Sequence, residues 1–223
     1  LCNGLAEHFI NLRNSDVRAV VLTGQGKIFS AGVDLKRLSE GGASYIRLLL
    51  PALHRFYESV FFLPQPVVAA VNGHAIAGGC VLACCADRRI MARESGRIGV
   101  TEILVGVPFP ALAFEIVRFA VPPRYLPEFT LSGATYATDE ACDVVGGVRG
   151  ASGKHDSGLF RRKAKAQLCT VAGLKCQPID GRYQIQRLAA GRGFEVGVEA
   201  LGPRQLQPPA HEPVEPRCVG EPD

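Results

Sequence analysis

The chain has 223 residues, of which 47% are hydrophobic and 21% are charged, as in a soluble globular protein with one full core. The net charge is +4, with 13 Lys and Arg against 12 Asp and Glu in residues 1–140, and 12 against 9 in residues 141–223. Residues 1–140 therefore lack the basic surface that nucleic-acid-binding proteins carry, and no nucleic-acid partner is predicted.

The eight cysteines lack the CxxC spacing of a zinc site, so we expect reduced thiols and no bound metal. Reduced thiols favour a reducing compartment such as the cytoplasm. The longest apolar stretch, residues 75–86, is too short to cross a bilayer, which takes about 20 residues. No membrane partner and no secretory signal are predicted, although a start at Leu1 leaves room for an upstream targeting segment.

The first predicted elements are a helix, a buried strand and a long second helix. Apolar residues recur at helical spacing over residues 1–12, and the apolar run 17–22 is typical of a buried strand. A glycine turn and a loop of small residues (30–33) follow. Residues 46–60 then carry a long amphipathic pattern with Pro51 inside it, where we expect a kink or a break.

The stretch from residue 66 to residue 87 organises the rest of the chain. Its first part is predicted to be a fully buried strand, and a sharp turn is expected at Asn72. The pair Gly78-Gly79 then precedes a buried helix, whose free backbone N–H groups and dipole would favour an anionic oxygen above Gly78. One alternative is that the glycines only let the helix pack close to the strand. A phosphate loop is set aside, because Gly79-Cys80 stand where Lys and Ser or Thr are needed.

Two segments together resemble the enoyl-CoA hydratase/isomerase (crotonase) family. They are FSAGVDL at residues 29–35 and AAVNGHAIAGG at residues 69–79, and residues 131–141 also match the family pattern. The resemblance covers about residues 1–141. It implies an α/β fold, a crotonase-like spiral of repeated ββα units.

The resemblance also implies the site. The backbone N–H groups of Val33 and Gly78 would form an oxyanion hole for the carbonyl of an acyl-CoA thioester. Glu102 would be the acid/base, although a glutamate at a helix start is usually only favourable for the helix dipole. Coenzyme A belongs to the substrate, and no other cofactor is expected. The residues implied to contact the substrate or its CoA part are Ala31, Gly32, Asp34, Leu35, Lys36 and Gly79.

Two departures from the family pattern bear on the reaction. Family hydratases carry a second glutamate where this chain has Val81, and a glycine-rich segment is replaced by the bulkier residues 108–113, which should reshape or narrow the acyl pocket. Hydration divides its work between two carboxylates, whereas a double-bond shift needs one group that removes and returns a proton. The predicted function is therefore enoyl-CoA isomerisation. An enoyl-CoA hydratase and a non-catalytic CoA-thioester-binding remnant are the alternatives, and a serine peptidase is set aside for want of a suitably placed serine.

The match to the family stops after Ala141. The predicted domains are a crotonase-like core, residues 1–141, and a non-matching tail, residues 142–223. The tail is rich in Gly, Pro and Arg, so it is predicted to be poorly ordered or atypical, with a reading-frame shift as one explanation. A β-hairpin that precedes the first helix in the family is also missing, which suggests N-terminal clipping. The family's trimers or dimers of trimers use the C-terminal helices, so assembly should be weaker here.

Overall fold

The computed structural model describes residues 1–93 and 96–151 and the backbone of two further strands. The helices are α1 (Cys2–Arg13), α2 (Leu35–Phe61), α3 (Gly78–Cys85), α4 (Ala111–Ala120), α5 (Leu126–Leu131) and α6 (Thr138–Val144), with a 3-10 helix at Glu102–Val105. The strands are β1 (Ala19–Thr23), β2 (Ile28–Ser30), β3 (Val67–Val71), β4 (His74–Ile76), β5 (Arg88–Ala92), β6 (Arg97–Gly99), β7 (Tyr136–Ala137), β8 (Val148–Ala151), β9 (Ile185–Arg187) and β10 (Gly197–Leu201).

Three consecutive units of two strands and a helix build the core. The first strands (β1, β3 and β5) lie in a six-stranded sheet of order β8-β5-β3-β1-β10-β9, which is parallel from β8 to β1. The second strands (β2, β4 and β6) lie side by side and parallel in a four-stranded sheet of order β2-β4-β6-β7. The helices α2, α3 and α4 follow the three strand pairs. The predicted α/β spiral of ββα units is therefore confirmed.

The central strands β1 and β3 are buried on both faces. Every residue of the two strands is buried. One face of the sheet packs on α1, α2 and α3, and the other face belongs to a smaller apolar cluster that includes Val21 and Val68. A strand without a solvated face needs no polar residue, which is why both strands appear in the sequence as continuous apolar runs.

The long helix α2 is interrupted at a different residue from the one predicted. Pro51 lies inside the helix, whereas the non-helical backbone is at Gly42, with φ +52° and ψ −149°. Glycine takes this positive φ without the steric penalty that a Cβ would impose. No helix in the described part of the chain is both long and apolar enough to span a membrane.

The C-terminal end of α3 is held by a buried arginine. Arg89 is only 5% exposed. Its guanidinium donates to the carbonyl oxygens of Ala83 (3.0 Å), Cys84 (3.3 Å) and Ala86 (2.8 Å), and to that of Gly146 (2.9 Å). A cation here satisfies carbonyl groups that have no partner inside the helix and complements the negative end of its dipole. Arg89 thereby fixes the short helix whose other end faces the candidate site.

The core continues past Ala141. Helix α6 runs to Val144, and β8 pairs in parallel with β5. Strand β10 pairs antiparallel with β1, and β9 pairs antiparallel with β10. The remainder of the predicted tail (152–184, 188–196 and 202–223) lies outside the described residues, so its predicted poor order stays a prediction.

Candidate active site

Two loops meet at the carboxyl ends of neighbouring parallel strands. Strands β2 and β4 pair in parallel, Ile28 with His74 and Ser30 with Ala75. The chain leaves β2 through residues 31–34 into α2, and it leaves β4 through Ala77 into α3. The two segments that the sequence predicted as parts of one site therefore lie side by side.

The side chain of Asn72 joins the first two ββα units. Its Oδ1 accepts a hydrogen bond from the N–H of Gly24, and its Nδ2 donates to the carbonyl of Gly26, both at 2.8 Å. The next residue, Gly73, lies so close to Lys27 that a Cβ atom would come within 1.8 Å of the Lys27 carbonyl oxygen. The predicted Asn-Gly turn thus also holds the β1–β2 loop against β4, which the sequence alone did not reveal.

Glycines let the backbones of the two loops touch. Gly32 has a φ of +84°, and a Cβ atom on it would lie 2.9 Å from the backbone nitrogen of Gly78. A Cβ atom on Gly79 would lie 2.0 Å from the carbonyl oxygen of Ser30. Because both neighbours are backbone atoms, a side chain at either position would force the loops apart. The glycines therefore do allow close packing, as the alternative interpretation proposed. This packing places the start of α3 next to the β2–α2 loop.

The residue before α3 has a strained backbone. Ala77 has φ +53° and ψ −125°, and it is the one non-glycine with positive φ among the described residues. Such a conformation costs about 1–3 kcal/mol and tends to occur at functional sites. In the hydrogen bonding between described residues, the backbone N–H groups of Val33 and Gly78 have no acceptor. This strain could not be predicted from the sequence, because alanine ordinarily avoids positive φ.

Glu102 begins the 3-10 helix Glu102–Val105, which ends at Gly106 with a left-handed backbone. Its Oε2 atom is buried and has no hydrogen-bond partner within the described part of the chain. Burial raises the pKa of Glu102. A carboxyl group with a perturbed pKa and an unpaired buried oxygen is a candidate for proton transfer.

Tyr57 binds the start of α3 and is affected by the charge of Glu102. Its phenol donates a hydrogen bond of 3.0 Å to the carbonyl oxygen of Gly78. Burial raises the pKa of Tyr57 well above its usual value, and the nearby Glu102 is among the charges that add to this effect. Glu102 therefore lies near enough to Tyr57 for its charge to act on the phenol at the start of α3. The amphipathic pattern of residues 46–60 includes Tyr57, but it did not reveal this hydrogen bond.

The entry of α2 shows how the predicted CoA-contacting residues are arranged. The Oδ1 atom of Asp34 accepts a hydrogen bond of 3.0 Å from the N–H of Arg37, so Asp34 caps the helix. Lys36 is exposed, with its Nζ 3.9 Å from a carboxylate oxygen of Glu40. Ala31 and Leu35 are exposed as well. This surface is open to a ligand, and Asp34 also has a structural role there.

Side chains that commonly bind metals are dispersed. His54 and His74 are exposed, whereas Cys80, Cys84 and Cys85 are buried thiols on α3. In the residues that the structure describes, no group of three or more His, Cys, Asp or Glu side chains is arranged to hold a metal ion.

Comparison with known proteins assigns the family. The model of the family described as Enoyl-CoA hydratase/isomerase matches residues 1–149. The chain belongs to the enoyl-CoA hydratase/isomerase family. The match extends past Ala141, in agreement with the position of α6 and of the first half of β8.

Curated relatives and solved structures agree with this assignment. The chain is 41% identical over 128 residues (56% of its length and 50% of the relative's) to the "Putative enoyl-CoA hydratase" of Thermus thermophilus. It is 34% identical over 140 residues (61% and 52%) to the carnitinyl-CoA dehydratase of Salmonella paratyphi B. The crystal structure of the enoyl-CoA hydratase EchA3 from Mycobacterium ulcerans superposes with a TM-score of 0.68 at 26% identity, over 78% of this chain and 74% of that one. The chain spans about half the length of these curated relatives.

Two departures from the family pattern that the sequence analysis noted are apolar in the structure. Val81, where the sequence analysis expects a second glutamate in family hydratases, has 0% of its surface exposed. In the bulkier segment that follows Glu102, Phe109 packs against the core and contacts Phe114 edge-on, with 6.1 Å between the ring centroids. Pro110 is the N-cap residue of α4. The side chains at these positions are therefore apolar and integrated into the core.

Proposed function

We propose that this protein is an acyl-CoA enzyme that stabilises a thioester enolate and shifts the double bond of an enoyl-CoA. The N–H groups of Val33 and Gly78 would donate to the thioester oxygen, and Glu102 would carry the proton. Two converging donors stabilise charge that develops in the transition state, and loss of one such donor costs roughly 2.7–4 kcal/mol in another enzyme class.

The reaction would proceed in two proton transfers. The Glu102 carboxylate removes a proton from Cα of a 3-enoyl thioester, and the electron pair delocalises into the carbonyl, giving a dienolate whose oxygen accepts from Val33 and Gly78. The protonated Glu102 then delivers the same proton to Cγ. The double bond moves from the β,γ to the α,β position, and the enzyme returns to its starting state.

The setting of Glu102 is the observation that supports this proposal most. Its Oε2 is buried and has no hydrogen-bond partner among the described residues, so a substrate proton could take that place. Burial raises the pKa of Glu102, and a base with a pKa closer to neutrality can both accept a proton and return it. Val81 is buried and apolar, so residue 81 can neither activate nor contact a water molecule. A single-carboxylate reaction is therefore favoured over hydration.

Hydration is the second candidate, because the Thermus thermophilus relative is named a hydratase and the Salmonella relative a dehydratase. A third candidate is a non-catalytic CoA-thioester binder, which would keep the ligand without the reaction. All three candidates share an acyl-CoA ligand and differ in what happens to it.

We propose that the CoA part of the substrate lies along Ala31 and the entry of α2. Lys36 is exposed there and would contact a phosphate as a point charge. Gly32, Leu35 and Gly79 would border the thioester arm by their position in the two loops. A cytoplasmic location is part of the same proposal, and assembly as the family's trimer or dimer of trimers is expected to be weakened in this chain. The buried thiols of α3 are compatible with a reducing compartment.

A panel of 2-enoyl- and 3-enoyl-CoA thioesters tests the proposal. Each thioester is assayed for isomerisation, by the gain of the conjugated enoyl thioester chromophore, and for hydration, by its loss. Isomerisation of 3-enoyl thioesters with little hydration is the expected result. Fast hydration of a 2-enoyl thioester would contradict the isomerase assignment. Tight binding without either reaction would indicate a non-catalytic binder.

A further inference from the structure

Tyr57 contacts helix α3 at both ends, through its phenol at the first residue and through its backbone carbonyl at the last. Its hydroxyl donates to the carbonyl oxygen of Gly78 at 3.0 Å, at the first residue of the helix. Its own backbone carbonyl lies 3.9 Å from the Sγ atom of Cys85, the last residue, which donates to it. One residue of α2 thereby fixes the position of α3 relative to the long helix.

The surroundings of Tyr57 keep its hydroxyl in place. The residue is only 3% exposed, and its ring lies 5.7 Å from that of Phe56, centroid to centroid. Burial raises the pKa of Tyr57 well above its ordinary value, so the hydroxyl remains a donor over the whole neutral range. A Cβ atom on residue 78 would lie 2.7 Å from the hydroxyl oxygen, so a side chain there would displace the hydroxyl.

The contact matters because Gly78 is conformationally soft. A glycine has two freely adjustable dihedrals, so its N–H can turn unless both neighbouring peptide groups are held. On the N-terminal side, the strained Ala77 and the close approach of Gly32 define the direction of the N–H. On the C-terminal side, the Tyr57 hydroxyl restrains the Gly78 carbonyl.

We infer that Tyr57 is a positioning residue for the oxyanion donor: by holding the Gly78 carbonyl, it keeps the Gly78 N–H aimed at the thioester oxygen. This inference rests on the proposed role of the Gly78 N–H. Tyr57 does not itself carry charge or protons in the reaction. Its effect reaches the substrate only through the direction of one backbone N–H.

The test compares wild type, Tyr57→Phe and Tyr57→Leu, with Tyr125→Phe as a matched control at the start of α5. The probe is a saturated acyl-CoA with a ¹³C label at the thioester carbonyl, whose infrared stretching frequency falls when the oxygen accepts hydrogen bonds. Melting temperature and probe affinity are measured for each variant. With the 3-enoyl thioester that the substrate panel selects, kcat and KM are measured too.

We expect the stretching frequency of the thioester carbonyl to fall when the probe binds the wild type. In Tyr57→Phe the frequency should fall by a smaller amount. We also expect kcat to decrease at least about tenfold with a small change in KM, because misplacing a transition-state donor acts on the chemical step. Tyr57→Leu should lose as much of the frequency shift as Tyr57→Phe although it loses more stability. Tyr125→Phe should behave as wild type.

Three other outcomes are decisive. If the wild type shows the shift and Tyr57→Phe keeps both the shift and kcat, the positioning role is wrong and the proposed function stands. A second outcome is that Tyr57→Leu loses more of the frequency shift than Tyr57→Phe, in proportion to its larger fall in melting temperature. In that case Tyr57 acts through packing, and the inference is again wrong. If the wild-type carbonyl frequency does not move on binding, the oxyanion proposal fails and the role of Tyr57 fails with it.

Discussion

The backbone nitrogen of Gly78 lies against the α-carbon of Gly32, so closely that a Cβ atom on Gly32 would come within 2.9 Å of it. The two glycines belong to different ββα units and are brought together by the parallel pairing of β2 with β4. No side chain separates the loops that carry the two proposed donors. The spacing of the donors is therefore sensitive to a single added methyl group.

Gly32→Ala tests this sensitivity. We expect a loss of stability of roughly 1–3 kcal/mol, since the residue keeps a φ of +84°, and a fall in kcat of about a hundredfold, since the Gly78 nitrogen must move. Urea unfolding and steady-state kinetics measure the two effects.

Two control variants separate the effect of backbone strain at positive φ from the effect of displacing the Gly78 nitrogen. Gly26→Ala imposes a positive φ of +62° but has open space around the new Cβ, so it should lose about 1 kcal/mol of stability and keep kcat. Gly4→Ala lies within α1 in open space and should gain up to about 1 kcal/mol. A Gly32→Ala enzyme with normal kcat would show that the close contact does not set the donor geometry.

Glu102→Gln should reduce kcat by at least about a hundredfold while acyl-CoA affinity changes little, because the amide keeps the size of the side chain and cannot accept the proton. Steady-state kinetics and calorimetric titration with a saturated acyl-CoA provide the measurement. Glu115→Gln is the matched control, since Glu115 is exposed on α4 and paired with Arg118. A Glu102→Gln enzyme that retains most of its kcat would make Glu102 structural.

The raised pKa of Glu102 also predicts a pH dependence of stability. Its carboxyl group binds a proton more tightly in the folded than in the unfolded chain. The associated stability is therefore complete below the unfolded pKa of about 4.3 and is lost as the pH rises through the folded value. Glu102→Gln lacks this loss, so its Tm should exceed that of the wild type at neutral pH and converge with it under acid conditions. A Tm difference that is independent of pH would mean that burial does not penalise this carboxylate.

Arg89→Met should destabilise the protein by roughly 2–5 kcal/mol, because it leaves buried carbonyl groups at the end of α3 and at Gly146 without their donor. The stability of Arg89→Lys should lie between those of wild type and Arg89→Met, because an ammonium group keeps the charge but lacks the several N–H donors of the guanidinium. Urea unfolding measures both. Arg88→Ala, at an exposed neighbouring position, should stay within about 0.5 kcal/mol of wild type, and an equal loss at both positions would contradict a special role for Arg89.

The sequence by itself determined the architecture and the candidate chemistry. Strands β1 and β3 were predictable because burial on both faces leaves an unbroken apolar run. The two glycine loops and Glu102 were predictable because their motifs resemble a family whose membership the comparison confirms. The roles assigned to Val33, Gly78 and Glu102 remain predictions, which the variants above test.

The tertiary structure alone decided the contacts between units distant in the chain. Asp87 accepts a hydrogen bond of 2.7 Å from the N–H of Val67, and Asn72 binds the loop of the preceding unit. Arg89 looked like an ordinary strand residue, although its guanidinium is buried against α3. The strain of Ala77 and the bond from Tyr57 to Gly78 are likewise invisible in the sequence. Local propensity describes what a residue prefers among its neighbours in the chain, whereas these contacts exist only because the sheets and helices bring separate segments together.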